Sequence, residues 1–150
     1  MAVLDAKLEM SDAQALDTLD DSPAISSTNV IDFGTHKDTW GDAINPNVGY
    51  GGELTWNLKI NEVFVGSSAA VTAELVTGTV VASGAITSDA TTLASVTIPA
   101  LSAVGTSWST KVPSNTVYRY VYTKYTGTSG HALTTGDVDS YLSLDTEKHD

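Results

Sequence analysis

The sequence predicts an all-β protein: a jelly-roll-like antiparallel β-sandwich of about eight short strands, forming a single β-sandwich domain over residues 1–150. Three observations predict it. Apolar residues recur with a period of two in several short runs, the spacing of strands that have one buried and one wet face. Gly, Ser, Thr, Asn and Pro punctuate those runs, and no stretch shows convincing helical amphipathicity. Two long connections, residues 34–52 and 99–115, favour a crossing jelly roll over an up-and-down barrel, whose connections are mostly short hairpins.

The elements follow in order. From Ala2 to Met10, the residues Leu4, Ala6, Leu8 and Met10 alternate with Asp5, Lys7 and Glu9, which predicts an N-terminal strand or arm. Ser11 or Asp12 can cap one helical turn over Ala13–Leu16, so residues 11–27 are expected to form a loop with one turn, ended by Asp20-Asp21-Ser22-Pro23. Thr28 to Phe33 reads as a short strand stopped by Gly34. Residues 34–52 hold five glycines, Asn45-Pro46, Trp40 and Tyr50, and turn chemistry predicts a long loop there. The clearest alternation is Glu53 to Asn61, where Leu54, Trp56, Leu58 and Ile60 face a core and Glu53, Thr55, Asn57, Lys59 and Asn61 face water. Each of those four apolar side chains contributes roughly 1.5–3 kcal/mol when buried, and a one-residue slip of register loses all of them together.

Strands are expected next over Ala69–Thr77, Val80–Ile86 and Thr92–Ile98, followed by the second long connection with Trp108 and Pro113. Thr116 to Tyr125 places Tyr118, Tyr120 and Tyr122 on one face and Val117, Arg119 and Val121 on the other. Such a tyrosine stripe serves as a packed sheet face or as a partner surface. After a Gly127–Gly130 turn, Val138, Ser140, Leu142 and Leu144 alternate with Asp139, Tyr141, Ser143 and Asp145, and Thr146 to Asp150 forms a frayed tail.

A chain of 150 residues buries about 68–70% of its unfolded surface, enough for a core without staples. It contains no cysteine, so neither disulfides nor thiolate chemistry contribute. No run approaches the roughly 18 apolar residues of a membrane span, and the N-terminus lacks a signal-peptide pattern; a soluble protein with no membrane partner is expected. Eighteen acidic against seven basic residues give a net charge of −11, the wrong sign for nucleic-acid binding. Residues 1–53 hold ten of the acids and only Lys7 and Lys37 as bases. That patch either meets a basic or polar partner or keeps the protein soluble.

Chemistry finds little to work with. His36, His131 and His149 lie apart, and no serine sits in a Gly-x-Ser-x-Gly elbow. Asp17, Asp20 and Asp21, like Asp137 and Asp139, lack the spacing of a calcium loop. Gly49, Gly51 and Gly52 precede a strand and not the helix that a phosphate cradle needs. The sequence therefore assigns no catalytic, cofactor-binding or metal residue. Trp40, Tyr50 and Trp108 on loops are able to stack sugar rings, which keeps a carbohydrate-binding β-sandwich module as the alternative; they serve equally well as plugs for the sandwich ends or a subunit interface.

Val3-Leu4-Asp5-Ala6-Lys7-Leu8, Ser11-Asp12-Ala13-Gln14-Ala15 and Ser27-Thr28-Asn29-Val30-Ile31-Asp32-Phe33-Gly34, followed by the tyrosine-rich strand, Gly136-Asp137-Val138 and Leu142-Ser143-Leu144-Asp145, carry a resemblance. In these blocks and their order the chain resembles the capsid decoration (cement or staple) proteins of short-tailed double-stranded DNA phages, and it departs from the shorter ones around Asn45-Pro46 and in residues 99–115. The resemblance implies a jelly-roll homodimer on the outer surface of the phage head, part of the virion, bridging copies of the major capsid protein at two-fold positions without catalysis or cofactor. On it, Leu4, Leu8, Asp38, Trp40, Asp42, Tyr50 and Trp108 are the candidates for capsid contact, and Tyr118, Tyr120 and Tyr122 for the dimer. A phage receptor-binding head-fibre domain joins the sugar-binding module as the alternative.

Overall fold

The computed structural model describes residues 8–17, 19, 24–37, 39–44, 54–66, 70–82, 85–113, 117–127 and 133–143. Among these residues fifteen β segments run in chain order: β1 (Glu9–Ala15), β2 (Ile25–Ser26), β3 (Ile31–Asp32), β4 (His36–Lys37), β5 (Ala43–Ile44), β6 (Thr55–Ile60), β7 (Val65–Gly66), β8 (Val71–Gly78), β9 (Val80–Ala82), β10 (Ala85–Ser88), β11 (Thr91–Ile98), β12 (Ser107–Lys111), β13 (Tyr120–Gly127), β14 (Leu133–Thr135) and β15 (Asp137–Ser143). No helix of more than a single turn interrupts them among the described residues.

Two antiparallel sheets form the sandwich. One has the order β1-β15-β6-β12; the other has β11-β8-β13-β2, with β3 also pairing β13. If β2 and β3 are taken as one interrupted strand, the two sheets of the described residues hold eight principal strands. The first then pairs the eighth, the second the seventh, the third the sixth and the fourth the fifth. This is one long antiparallel ribbon rolled over itself, the expected jelly roll.

The rolling turns the alternating faces inward. Leu54, Trp56, Leu58 and Ile60 are buried, as the alternation predicts, against Val71, Ala73, Leu75, Val121, Tyr125, Val138 and Leu142. Between the apolar rows, the sheets are also joined by hydroxyl groups. Trp56 Nε1 donates to Ser140 Oγ (3.0 Å), and Ser140 shares a 2.6 Å hydrogen bond with the Thr123 hydroxyl of the facing sheet. Ser11 Oγ donates to Gln14 Oε1, which leaves the Tyr125 hydroxyl as donor to Ser11 across 2.9 Å. Burial pushes the Tyr125 phenol up to about 12, so it stays a neutral donor throughout the physiological range. Satisfied in this way, the buried hydroxyls escape the cost of an unpaired polar group.

Four expectations need correction. β1 (Glu9–Ala15) runs through the stretch where a helical turn was expected, because Met10 and Ser11 both turn into the core and find partners there, while Ala2 to Lys7 of the expected N-terminal strand lie outside the described residues. Two irregularities, with Ala13 at φ +42, let that strand keep its pairing with β15. Thr55 and Asn57 are buried and not wet: Asn57 accepts from Ser109 Oγ (2.7 Å) and donates to Ser143 Oγ (2.8 Å), so its amide ties three neighbouring strands together. Among the described residues of that face Lys59 alone is exposed; Asn61 is half-buried, and Glu53 lies outside the described residues. Neither long connection is a plain loop. Residues 34–52 contain the β4–β5 hairpin, and residues 99–115 contain β12, which extends the sheet beside β6.

On the outer face of the five-stranded sheet, the β9–β10 hairpin lies over Val76 and Tyr122. Ile86 of the hairpin closes a second small cluster with them, rimmed by Val30, Val81 and Tyr120.

Candidate functional site

The surfaces that offer themselves to a partner are built from the strand ends. β3 pairs β13 through Asp32↔Tyr120 and Ile31↔Val121, and just beyond it Phe33 N donates to Arg119 O at 2.8 Å. The Asp32 carboxylate takes the Arg119 fork at 2.8 and 2.9 Å from Nε and Nη2, and it also accepts the Gly34 amide at 2.8 Å. This bidentate geometry is the strong form of the pair. The Arg119 guanidinium lies 4.7 Å over the Tyr120 ring. Gly34, at φ +78, then turns the chain away into the β4–β5 arm. The arm's turn holds Trp40, 89% exposed, and exposed Asp42, with Gly41 at φ +89 between them.

The Arg119 hydrogen bonds hold the Asp32 carboxyl below its usual range, aided by the Gly34 amide. A carboxyl depressed in the folded state stabilises the fold above its unfolded value, and this contribution is lost as pH falls through the folded one. Because Asp32 and Arg119 side chains are 43% and 39% exposed, solvent screens the pair and the effect is modest. Asp32→Asn is therefore expected to lower stability slightly at neutral pH, with the gap to the native chain closing on acidification. Urea unfolding followed over a pH series checks this; a gap that persists or widens in acid contradicts it.

Of the residues singled out in the sequence, the arm collects Trp40 and Asp42. Leu8 is half-buried and packs against the main core. Trp108 is likewise half-buried against the core, on strand β12 and not at a loop tip. Its ring points inward because Ser107, Ser109 and Lys111 take the exposed alternate positions. Tyr122 is 5% exposed beneath the β9–β10 hairpin, whereas Tyr118 and Tyr120 remain half-exposed. The tyrosine stripe is thus covered by its own chain at Tyr122 and partly open at Tyr118 and Tyr120. Leu4, Asp38 and Tyr50 lie outside the described residues, as do His131 and His149.

A second apolar display was missed. Leu101 (68% exposed) and Val104 (60%) sit on the turn after β11, next to exposed Val65. Leu101 N donates to Phe64 O, and Gly105 N to Ile60 O. These bonds fix the turn at the Ile60 end of β6. The signal available was the apolar content of the Pro99–Gly105 turn itself. On the sheet edge, burial pushes the Glu9 carboxyl up, and the Asp12 and Asp139 charges push it the same way.

Among the described residues no group of three His, Asp or Glu side chains is placed to hold a metal ion, and no helix is long and apolar enough to cross a membrane. No protein-family model matches the chain, and no characterised protein matches it closely enough to count as a relative.

Proposed function

We propose that this chain is a capsid decoration (cement) protein, which binds the outer surface of an icosahedral phage head as a homodimer and clamps neighbouring copies of the major capsid protein. The observation that carries the reading is Trp40, held out on a hairpin arm whose base is fixed by the Asp32–Arg119 pair. Tryptophan is the residue type most often found at the energetic centre of protein interfaces. The sequence resemblance supports the same reading, as does the acidic, cysteine-free jelly roll around the arm. Weak contacts suffice for such a clamp, since a lattice holds many copies at high effective concentration. The role is mechanical and assigns no catalytic step, cofactor or nucleic acid.

Co-sedimentation with purified capsids tests it. The native chain is expected to pellet with capsids and raise their heat tolerance, and Trp40→Ala to weaken binding by about 30-fold, the equivalent of a 2 kcal/mol hot spot, with an unchanged melting curve. No association with any capsid of the source phage defeats the reading. Retention on a glycan array that Trp40→Ala abolishes replaces it with the sugar-binding module, because an exposed indole also suits the face of a sugar ring.

A further inference from the structure

The two flanks of the sandwich are finished differently. On one flank β1 is stitched to the β2–β3 segment: Gln14 Nε2 donates to Ser26 O, Thr28 N donates to Gln14 Oε1, and Asn29 N donates to Met10 O. The other flank is open among the described residues. β11 ends one sheet and β12 ends the other, and the turn between them holds both edges on the same side. An edge strand leaves alternate backbone N–H and C=O groups without a ladder partner, and proteins usually blunt such edges with charge, proline, bulges or brevity. β1 carries Glu9, Asp12 and two irregularities, β2 and β3 are two residues each, and β12 ends in Lys111.

β11 has almost none of these protections. Its eight residues, Thr91-Thr92-Leu93-Ala94-Ser95-Val96-Thr97-Ile98, include no charge, glycine or proline. Its one irregularity falls between Thr92 and Ala94, and from Ala94 to Ile98 it runs in unbroken register with β8. Along the same flank Leu93, Ala94, Val96 and Trp108 are only half-buried where the core meets the surface.

We propose that β11 pairs antiparallel with β11 of a second copy, about a two-fold axis at Val96. Ala94 then opposes Ile98, Ser95 opposes Thr97, and Val96 opposes itself. In an antiparallel ladder opposed residues share a face, and this register respects that rule. Ala94, Val96 and Ile98 pair with inward-facing Leu75, Ala73 and Val71 of β8, whereas Ser95 and Thr97 pair with Glu74 and Thr72 on the outer face. Apolar positions therefore meet apolar ones, and exposed polar positions meet exposed polar ones. Charge points to a copy of the same chain as the occupant: two subunits of net charge −11 meet where neither strand carries a charge, and neighbouring Glu74 is already paired with Lys124 at 3.4 Å. The two sheets become one continuous sheet, an isologous interface of the kind that closes a dimer.

This inference rests on the homodimer of the proposed function, not on the capsid, and it moves the dimer surface away from the tyrosine stripe. The chain has no cysteine, so single-cysteine variants report the register directly. Under mild oxidation Val96→Cys is expected to run as a disulfide-linked dimer on a non-reducing gel, because a residue on the axis meets its own copy, and Tyr120→Cys is expected to remain unlinked. The double variant Ser95→Lys/Thr97→Lys changes only exposed positions and sets lysines opposite one another; it is expected to sediment as a monomer with its melting curve kept. A native chain that is monomeric at high concentration overturns both this interface and the homodimer. A native dimer that persists in the double-lysine variant and links through Tyr120→Cys overturns this interface alone.

Discussion

Truncating Trp56 to alanine is expected to cost about 3–5 kcal/mol of stability, the usual range for removing a large aromatic from a close-packed core. Trp56 is 1% exposed, the largest of the fully buried side chains, and sits on β6 between β15 and β12. Two losses combine. The indole leaves a void between the sheets that the paired strands on either side cannot collapse to fill. Its Nε1 hydrogen bond to Ser140 also disappears, although the Ser140 hydroxyl keeps Thr123 as a partner, so the polar part is the smaller. Urea unfolding measures the loss as a shift of midpoint with little change in slope. Partner binding should fall only in proportion to the unfolded fraction. A variant that stays as stable as the native chain shows that the indole does not fill the core.

Gly136→Ala is expected to be nearly as damaging although it adds a single carbon. Gly136 has φ +147, a conformation that residues with a side chain rarely adopt, and an added Cβ would lie 2.7 Å from Cε1 of Phe64. That ring is wholly buried, and close-packed interiors leave few voids for a ring to move into. The backbone cannot retreat either, because the Gly136 carbonyl accepts Leu16 N at 2.8 Å and the chain continues directly into β15. Strain of about 1–3 kcal/mol from the dihedral adds to about 1–3 kcal/mol from overpacking. A melting temperature lower by roughly 4–24 °C follows for a domain of this size. Combining the change with Phe64→Leu should recover part of the loss, since the two residues share one clash. Strictly additive losses would show that the ring is not the obstacle.

Much of this fold was legible because alternation is a direct print of burial. The runs around Trp56, Leu75, Val96 and Leu142 each have an apolar residue at every second place, and each became a principal strand. The failures share one physical origin. Ser11, Asn57, Thr123 and Ser140 point into buried space and are satisfied there by partners distant in sequence, which no pattern of hydrophobicity records. For that reason residues 13–16 were expected to form a helical turn and the second face of β6 was expected to be wet. β12 was overlooked because Trp108 is its one large apolar residue. The candidate site was legible only in part. Trp40 stands out as an aromatic in a glycine-rich stretch, but the Asp32–Arg119 pair that fixes its arm joins residues from opposite halves of the chain. The covering of Tyr122 by Ile86 was hidden for the same reason. The open edge at β11 depends on strand order, which period-two patterns do not specify.

Strand order also governs how the chain finds this structure. Each ladder of the rolled ribbon encloses the one before it: β8 closes on β11 across the β9–β10 hairpin, whereas Glu9 must reach Tyr141 before β1 can pair β15. Loop-closure entropy for the outer pairs must be met before any of their hydrogen bonds form. The shortest closure, around residues 78–91, is thus the natural starting point, and assembly proceeds outward toward the chain ends. Folding on the millisecond-to-second scale of high contact-order β proteins follows. Until the outer ladders close, the uncharged β11 edge already stands exposed, so crowding at this stage favours pairing between chains.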